Sequence, residues 1–510
     1  MRKSWVLTLF RRRVLVALVI LLQIAILLAM IVGSSRQSDL LNKALTTISL
    51  LAVLYIISRH DYRPYKLVWA IQILLFPVLG GVFYLLFRYQ SSTKRFRQRQ
   101  AEIDQKACHL LPQDEAVCLE MNRTKSPYLR QVRYLANYAG FPVYRHTTAT
   151  YLRSGEMKLA VLLQELLQAE RYIFLEYFII QEGVMWNSIL DVLAEKAKQG
   201  VEVRLLYDDV GCFLSLPSDY PQRLAALGIK AAVFNPFRPV LSATQNNRDH
   251  RKIVVIDGKV AFTGGANLSD KYINAAATPG HWKDAAIMIK GQAAWSFSLM
   301  FLKMWSLCQQ EEVNFECYLP ELTAEEMVSD GYIQPYADSP MDYENVGEHV
   351  YLQIINSAKD YVYINTPYLI VDDVMLSALC LAAKSGIDVR IVTPHRWDKW
   401  FVHMTTRSYY PELIAAGVKV YEYSEGFNHA KTFVSDDRTA TVGTANLDYR
   451  SLYLAFECGV WIHDSQAVQD IKEDFLDTLQ HCQQVTLEDC RTNRLMRLFQ
   501  EILRLFAPLM

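Results

Sequence analysis

Neither sign of charge is in excess in this chain. Across 510 residues, lysine and arginine number 53 and aspartate and glutamate number 53. A general nucleic-acid binder carries a basic surplus, so the neutral balance argues against one. Paired cysteines are also missing. The nine cysteines, at positions 108, 118, 212, 308, 317, 380, 458, 482 and 490, are odd in number and form no CxxC pair. That excludes a disulfide framework and leaves a zinc ribbon without support. It reads as reduced, buried thiols facing a reducing compartment. A cleavable secretory leader has no support either, because the first apolar run is long and no obvious small-residue cleavage site accompanies it. The length suffices for two or three domains with a substantial core.

What is present at the N-terminus is apolar. Val14 to Val32 contains only Gln23 as a polar residue, and Leu67 to Phe87 contains only Gln72. Each is long enough to cross a hydrocarbon layer of ~30 Å as a helix. Pro77, Gly80 and Gly81 within the later run are tolerated in membrane helices. Between them Ala44 to Ile57 is shorter and holds Thr46, Thr47 and Ser49. It reads as a third span or as an interfacial or re-entrant helix. Arg11 to Arg13 precede the first run, and Arg88, Lys94, Arg95, Arg97 and Arg99 follow the last. Placing both clusters on the cytoplasmic side is met by two spans and not by three. The expectation is a multi-pass cell-membrane anchor over residues 1–87 with a cytoplasmic catalytic part.

A charged linker, 88–145, is expected next, and then a pattern that occurs twice. Tyr172 to Ile180 reads as a strand, Met185 to Gln199 as an amphipathic helix ending at Gly200, and Val201 to Tyr207 as a strand. The order returns as a strand over Tyr361 to Ile370, a helix from Asp373 to Ser385 ending at Gly386, and a strand over Ile387 to Val392. Gly386 and Arg390 stand to the second copy as Gly200 and Arg204 stand to the first. A repeat of this size predicts two similar α/β halves packed face to face around one shared site. The expected bounds are 146–315 and 341–485, with a linker at 316–340 and an amphipathic C-terminal helix at 486–510.

The chemistry sits in a motif found once in each half. His250-Arg-Lys252, Asp257 and Gly264-Gly265-Ala-Asn267 fit H-x-K-x4-D-x6-G-[GST]-x-N, and so do His429-Ala-Lys431, Asp436 and Gly443-Thr444-Ala-Asn446. With each fixed position met at roughly one in 20, a chance match is on the order of 10⁻⁴ or less, and here there are two. Side chains two apart on a strand share a face, so His250 and Lys252 point together, as do His429 and Lys431. Two imidazoles, two ammonium groups and the amides of Asn267 and Asn446 make a pocket for a phosphate. One imidazole attacks phosphorus and the other protonates the leaving alkoxide. The lysines supply the positive charge, so the reading calls for no metal and no cofactor. Each histidine needs an orienting carboxylate, and the candidates are Asp284 and Glu457.

These residues resemble the phospholipase D superfamily, whose HKD motif they match twice. Asn247-x-x-His250-Arg-Lys-Ile, Gly264-Gly-Ala-Asn267-Leu-Ser-Asp270-x-Tyr272, Gly443-Thr-Ala-Asn446-Leu-Asp-Tyr-Arg450-Ser451 and Phe76-Pro77-x-x-Gly80-Gly81-x-x-Tyr84 are similar to bacterial cardiolipin synthases. The resemblance implies transfer between two phosphatidylglycerol molecules, giving cardiolipin and glycerol. It also implies His250 as nucleophile and His429 as acid/base, an assignment that two complete motifs leave open. Asp257 and Asp436 enter the expected catalytic set with the motif, and Gly265 and Thr444 enter the phosphate-binding set. Gly265 departs from the serine or threonine usual at its place, so that half lacks a hydroxyl there.

Other features are weaker. Leu495, Leu498, Phe499, Ile502, Leu505 and Phe506 share one helical face, which reads as an interfacial helix on anionic lipid or as a helix docked on the core. Phe213 to Pro217 and Trp397 to Phe401 read as core or as a path for acyl chains. Glu176, mid-strand among apolar residues, requires a partner, with the active-site lysines as candidates. His60, His109, His146, His395 and His403 belong to no motif. The expected partners are phospholipid and membrane and not nucleic acid, with the oligomeric state open. The rival readings are a lipid hydrolase with identical site residues, a nucleic-acid phosphodiesterase and a non-catalytic membrane scaffold.

Overall fold

A computed structural model describes residues 39–58, 63–75, 91–237, 246–277, 280–342 and 344–509. The chain divides into two compact units, one of 1–95, 237–246 and 508–510 and one of 96–236 and 247–507.

In the smaller unit the helices Asp39–Ser58 and Arg63–Leu75 pack through Val53, Ile56 and Ile73. Ile48, Leu51, Leu54, Leu67 and Leu74 face outward. Among the described residues no helix is long and apolar enough to cross a membrane. The expected span at Val14 to Val32, the end of the one at Leu67 to Phe87, the Phe76 to Tyr84 motif and His60 lie outside the described residues.

The larger unit holds the two α/β halves. The first half's sheet runs, edge to edge, Thr147–Leu152, Ala286–Gly291, Val260–Gly264, Lys252–Ile256, Tyr172–Tyr177, Glu202–Asp208 and Lys230–Phe234. The second half's sheet runs Tyr332–Asp338, Ala455–His463, Thr439–Gly443, Thr432–Ser435, Tyr361–Asn365, Asp388–Pro394, Lys419–Tyr423 and Cys482–Gln484. The orders match strand for strand apart from the last. In each half the strand after the histidine motif is central and wholly buried, as expected of apolar runs covered on both faces.

The helices follow from local signals. Gly155–Leu167 begins where Ser154 Oγ accepts the Met157 N–H, and Asp373–Lys384 where Asp372 accepts the Met375 N–H. The helices Val184–Lys198 and Asp373–Lys384 are followed by Gly200 at φ +93° and Gly386 at φ +94°. That left-handed turn, which glycine adopts without strain, ends both copies of the repeat's first helix.

Three sequence expectations differ from the structure. The strand over Tyr361 to Ile370 breaks into Tyr361–Asn365 and Leu369–Ile370, because Pro367 has no N–H to continue the ladder. Residues 88–145 are not a bare linker. They form the helices Ser91–Ala107, Glu115–Arg123 and Leu129–Asn137, with Val117, Met121, Val132 and Leu135 buried at helical spacing under a charged composition. Residues 316–340 contain the strand Tyr332–Asp338, an edge position that tolerates Pro335.

Glu176 is buried, and its partner is Arg251 (Nη2–Oε1 2.5 Å), not a motif lysine. Arg251 also meets Asp249 at 3.2 Å. Removing one member of such a pair leaves an uncompensated buried charge. Arg251→Met is therefore expected to cost about 3–5 kcal/mol in denaturant unfolding, and the Arg251→Met/Glu176→Leu double variant to recover much of it. Additive losses in that cycle contradict the pairing.

Candidate active site

The site is assembled by two short strands, each lying against a strand of the other half. Arg248–Asp249 runs parallel to Ala455–Phe456. Gly426–Asn428 runs parallel to His281–Lys283. The His250 N–H donates to the Phe456 carbonyl at 2.9 Å and the His429 N–H to the Lys283 carbonyl at 2.7 Å. The residue after each of those carbonyls is an acid, Glu457 in one case and Asp284 in the other. The orienting bonds are therefore crossed. His250 Nδ1 meets Glu457 Oε1 at 2.8 Å, and His429 Nδ1 meets Asp284 Oδ2 at 2.7 Å. With a carboxylate at Nδ1, each ring keeps Nε2 for a substrate.

Each lysine folds back on its own motif. Lys252 Nζ donates to the His250 carbonyl at 2.5 Å, and Lys431 Nζ donates to the His429 carbonyl and lies 3.1 Å from His429 Nδ1. All four side chains, with Glu457 and Asp284, are buried or nearly so. Burial depresses both imidazoles. At His250 it acts with Lys252 and Lys431 and outweighs Glu457, and at His429 Lys431, Lys271 and Lys252 reinforce it. That each motif's lysine acts on the other motif's histidine marks one shared volume. Burial also pushes Lys252 down to about 8 and Lys431 to about 7.

The two carboxyls differ. Burial raises Asp284 to about 6 against the opposing pull of Lys431. Glu457 feels the same burial, but His250, Lys252 and the Thr444 hydroxyl outweigh it and hold it below the usual carboxylate range. Thr444 Oγ1 donates to Glu457 Oε2 at 2.5 Å and also meets the Cys458 backbone. At the equivalent Gly265, an added Cβ would lie 2.0 Å from Asp284 Oδ1 and 2.9 Å from the His429 carbonyl. The hydroxyl missing from that half is thus a matter of space, since Asp284 fills the place.

Other motif residues build the frame. Asp257 accepts the N–H groups of Glu170, Arg171 and Tyr172, each at 2.8 Å. Asp436 accepts those of Lys359, Asp360 and Tyr361 at 2.8 to 3.0 Å. Both stand past the far end of the motif strand, so the structure does not bring them to the histidines. Asn267 accepts the Ile179 N–H and donates to the Tyr272 hydroxyl. Asn446 donates to Asp448, and its buried Oδ1 has no hydrogen-bond partner among the described residues.

Sequence reasoning missed the rings around the histidines. Phe178 packs edge-on to His250 at 5.0 Å, and Tyr272, Trp282 and Phe427 surround His429 at 5.4 to 6.1 Å. It also missed Lys158, fully buried, whose ammonium donates to the Ala266 carbonyl at 2.8 Å. In the other half the Tyr351 hydroxyl does this for Ala445. The only signals were the nearness of Trp282 to Asp284 and of Phe427 to His429. Lys158 sits on an ordinary amphipathic helix and gave none.

A duplicated α/β fold with paired His-x-Lys motifs and crossed carboxylates defines a phospholipase D-type site. The family model described as "Cardiolipin synthase, PLD-like domain" matches residues 162–324 and 351–479, and "Phospholipase_D-nuclease N-terminal" matches 47–88. A cardiolipin synthase of Alkalihalophilus pseudofirmus is 36% identical over 91% of this chain and 93% of its own length. One of Geobacillus kaustophilus is 35% identical over 92% and 94%. An uncharacterized Streptococcus mutans protein is 43% identical over 90% and 99%. In fold, the phosphatidylserine synthase of Haemophilus influenzae superposes with a TM-score of 0.57 at 16% identity, over 75% of this chain and 98% of that one. The chain belongs to the cardiolipin synthase family of the phospholipase D superfamily.

Two substitutions check these placements. Asp257→Ala, which removes the acceptor of three N–H groups, is expected to lower stability by about 2–4 kcal/mol in urea titration while the folded fraction keeps its turnover. Gly265→Ala displaces Asp284 and is expected to cut kcat by about 10²-fold, the scale of a misplacement of roughly 1 Å. Full activity in that variant contradicts the packing described.

Proposed function

We propose that the protein is a cardiolipin synthase, moving a phosphatidyl group from one phosphatidylglycerol to a hydroxyl of another and releasing glycerol. The observation that carries this reading is the pair of crossed histidine–carboxylate contacts around two buried lysines, in a chain that matches cardiolipin synthases over nine-tenths of its length.

The donor phosphodiester sits between the two motifs with its charge on Lys252 and Lys431. His250 Nε2 attacks phosphorus and forms a P–N bond. The P–O bond to glycerol breaks, and His429 gives its Nε2 proton to the departing oxygen. The acceptor's hydroxyl then enters, His429 takes its proton back, and the new P–O bond forms as the P–N bond breaks. Glu457, kept ionised, stabilises the positive charge that develops on His250. Thr444 holds that carboxylate, which supports His250 as the nucleophile. Asn267 and Asn446 set the loops beside the phosphate, and Asp257 and Asp436 anchor the strands that carry the motifs. The domain bounds follow the repeat, with 146–315 as the first half and the second, expected over 341–485, taking in the edge strand Tyr332–Asp338 as well.

Residues 1–87 we assign to a multi-pass anchor with the catalytic part on the cytoplasmic side. The apolar runs, the flanking basic clusters and the match of 47–88 to the family's N-terminal model support this. The free state of all nine cysteines is compatible with a reducing compartment.

In detergent–lipid micelles with labelled phosphatidylglycerol as the only lipid, cardiolipin and free glycerol are the expected products, lost in His250→Ala. Phosphatidic acid as sole product makes the protein a hydrolase instead. The pH profile of kcat/KM is a second check. Both imidazoles lie below their ordinary 6.5. His250, which attacks as the neutral imidazole, stays neutral down to lower pH, so the acid limb falls below 6.5, and His429 gains the proton it donates as the anionic donor binds beside it. Lys431 at about 7 and Lys252 at about 8 lose their protons as pH rises. Donor binding therefore weakens above that window, and a flat profile from pH 6 to 9 contradicts the assignment.

A further inference from the structure

We infer that Lys271 holds the phosphodiester of the acceptor phosphatidylglycerol, as a second phosphate subsite beside His429. The inference rests on the synthase reading above. Joining two phosphatidylglycerol molecules brings two anionic phosphates to one site. The first occupies the pocket of Lys252 and Lys431. The second is tied to the attacking hydroxyl through a single glycerol, so it stops just outside that pocket, on the side of the residue that deprotonates the hydroxyl. A water or free glycerol acceptor carries no such charge.

The side chain that meets this requirement is Lys271. Its ammonium lies 4.6 Å from the centre of the Trp282 ring and 4.9 Å from that of Tyr272. Both rings pack on His429, at 5.5 and 5.4 Å. The cation is thus one ring's breadth from the acid/base imidazole. Among the described residues it forms no ion pair. The acid nearest in influence, Asp398, accepts the Tyr368 hydroxyl at 2.5 Å. An ammonium held over two ring faces without a carboxylate bound to it is a cation poised for an anionic ligand. The His250 end differs, for there the ring is Phe178 and the lysine over it is Lys252 itself, at 5.8 Å.

The neighbouring segment suits a lipid. Lys399 lies over Tyr368 at 5.7 Å. Beside it Trp397, Trp400 and Phe401 are 59%, 47% and 44% exposed, a run of large apolar side chains that a lipid's chains can cover. Trp400 stacks on Phe499 of the C-terminal helix Arg494–Leu505, which places a further exposed apolar face, including Leu498, next to it. A phosphate on Lys271 therefore has an exit for its acyl chains.

Two reactions of the full-length protein in the same micelles separate this subsite from the donor pocket. One is cardiolipin formation from phosphatidylglycerol. The other is exchange of labelled free glycerol into phosphatidylglycerol, which uses the same donor pocket and covalent intermediate with an uncharged acceptor. Lys271→Met is expected to lower the ratio of cardiolipin formation to glycerol exchange by about tenfold or more, with Lys271→Arg restoring most of it. A parallel fall of both rates in Lys271→Met, or no change in the ratio, overturns the subsite. Wild-type protein that exchanges glycerol but forms no cardiolipin overturns the synthase reading beneath it, and that result is seen before any variant is made.

Discussion

Everything in this molecule depends on one reciprocal contact, in which each half's histidine is held by the other half's carboxylate. Neither half contains a complete site. His250 has its ring fixed only when Glu457 arrives on the strand Ala455–His463, and His429 only when Asp284 follows the strand His281–Lys283. The two short parallel pairings between the halves exist to make these contacts, because they set the backbone of each histidine one residue out of step with the acid it needs. Packing supports the same register. Lys283 and Tyr151 of the first half both bind Asp474 of the second at 2.7 Å. Ions this deeply buried are costly unless compensated, and the alternation of carboxylate, imidazole and ammonium across the seam supplies that compensation.

Duplication produces near symmetry, and the departures from it allow the two histidines separate tasks. Thr444 gives Glu457 a hydroxyl donor that keeps it ionised, whereas Gly265 makes room for a shorter acid whose proton affinity is raised by burial. Lys158 backs the first half's loop where Tyr351 backs the second's. One imidazole therefore faces a firm anion, suited to a ring that becomes positively charged. The other faces a weaker acid among aromatic rings, suited to a ring that gives and takes a proton.

Much of this was legible in the residues and some was not. The repeat, the strand–helix–strand order and the pairing of His250 with Lys252 and His429 with Lys431 follow from spacing, because period-two geometry is local. Both orienting acids were in view, but their crossing was hidden, since sequence distance says nothing about which sheet edge meets which. Asp257 and Asp436 look catalytic in the motif and prove to be backbone acceptors, as a motif records what recurs together and not what touches the substrate. Glu176 clearly required a cation, yet Arg251, adjacent to His250, supplies it. The helices within 91–137 were masked by charge on their exposed faces, while their buried positions are few.

Rapid-quench mass spectrometry of the His250 peptide during turnover of phosphatidylglycerol, in Glu457→Gln and Asp284→Asn, tests the crossed arrangement most directly. If Glu457 orients the nucleophile and Asp284 the acid/base, Glu457→Gln slows the appearance of the phosphatidyl adduct on His250, and Asp284→Asn slows both its appearance and its transfer, because His429 serves the departing glycerol and the incoming acceptor alike. Adduct that forms at the normal rate in Glu457→Gln would contradict the account, because Glu457 would then not be the acid that holds His250.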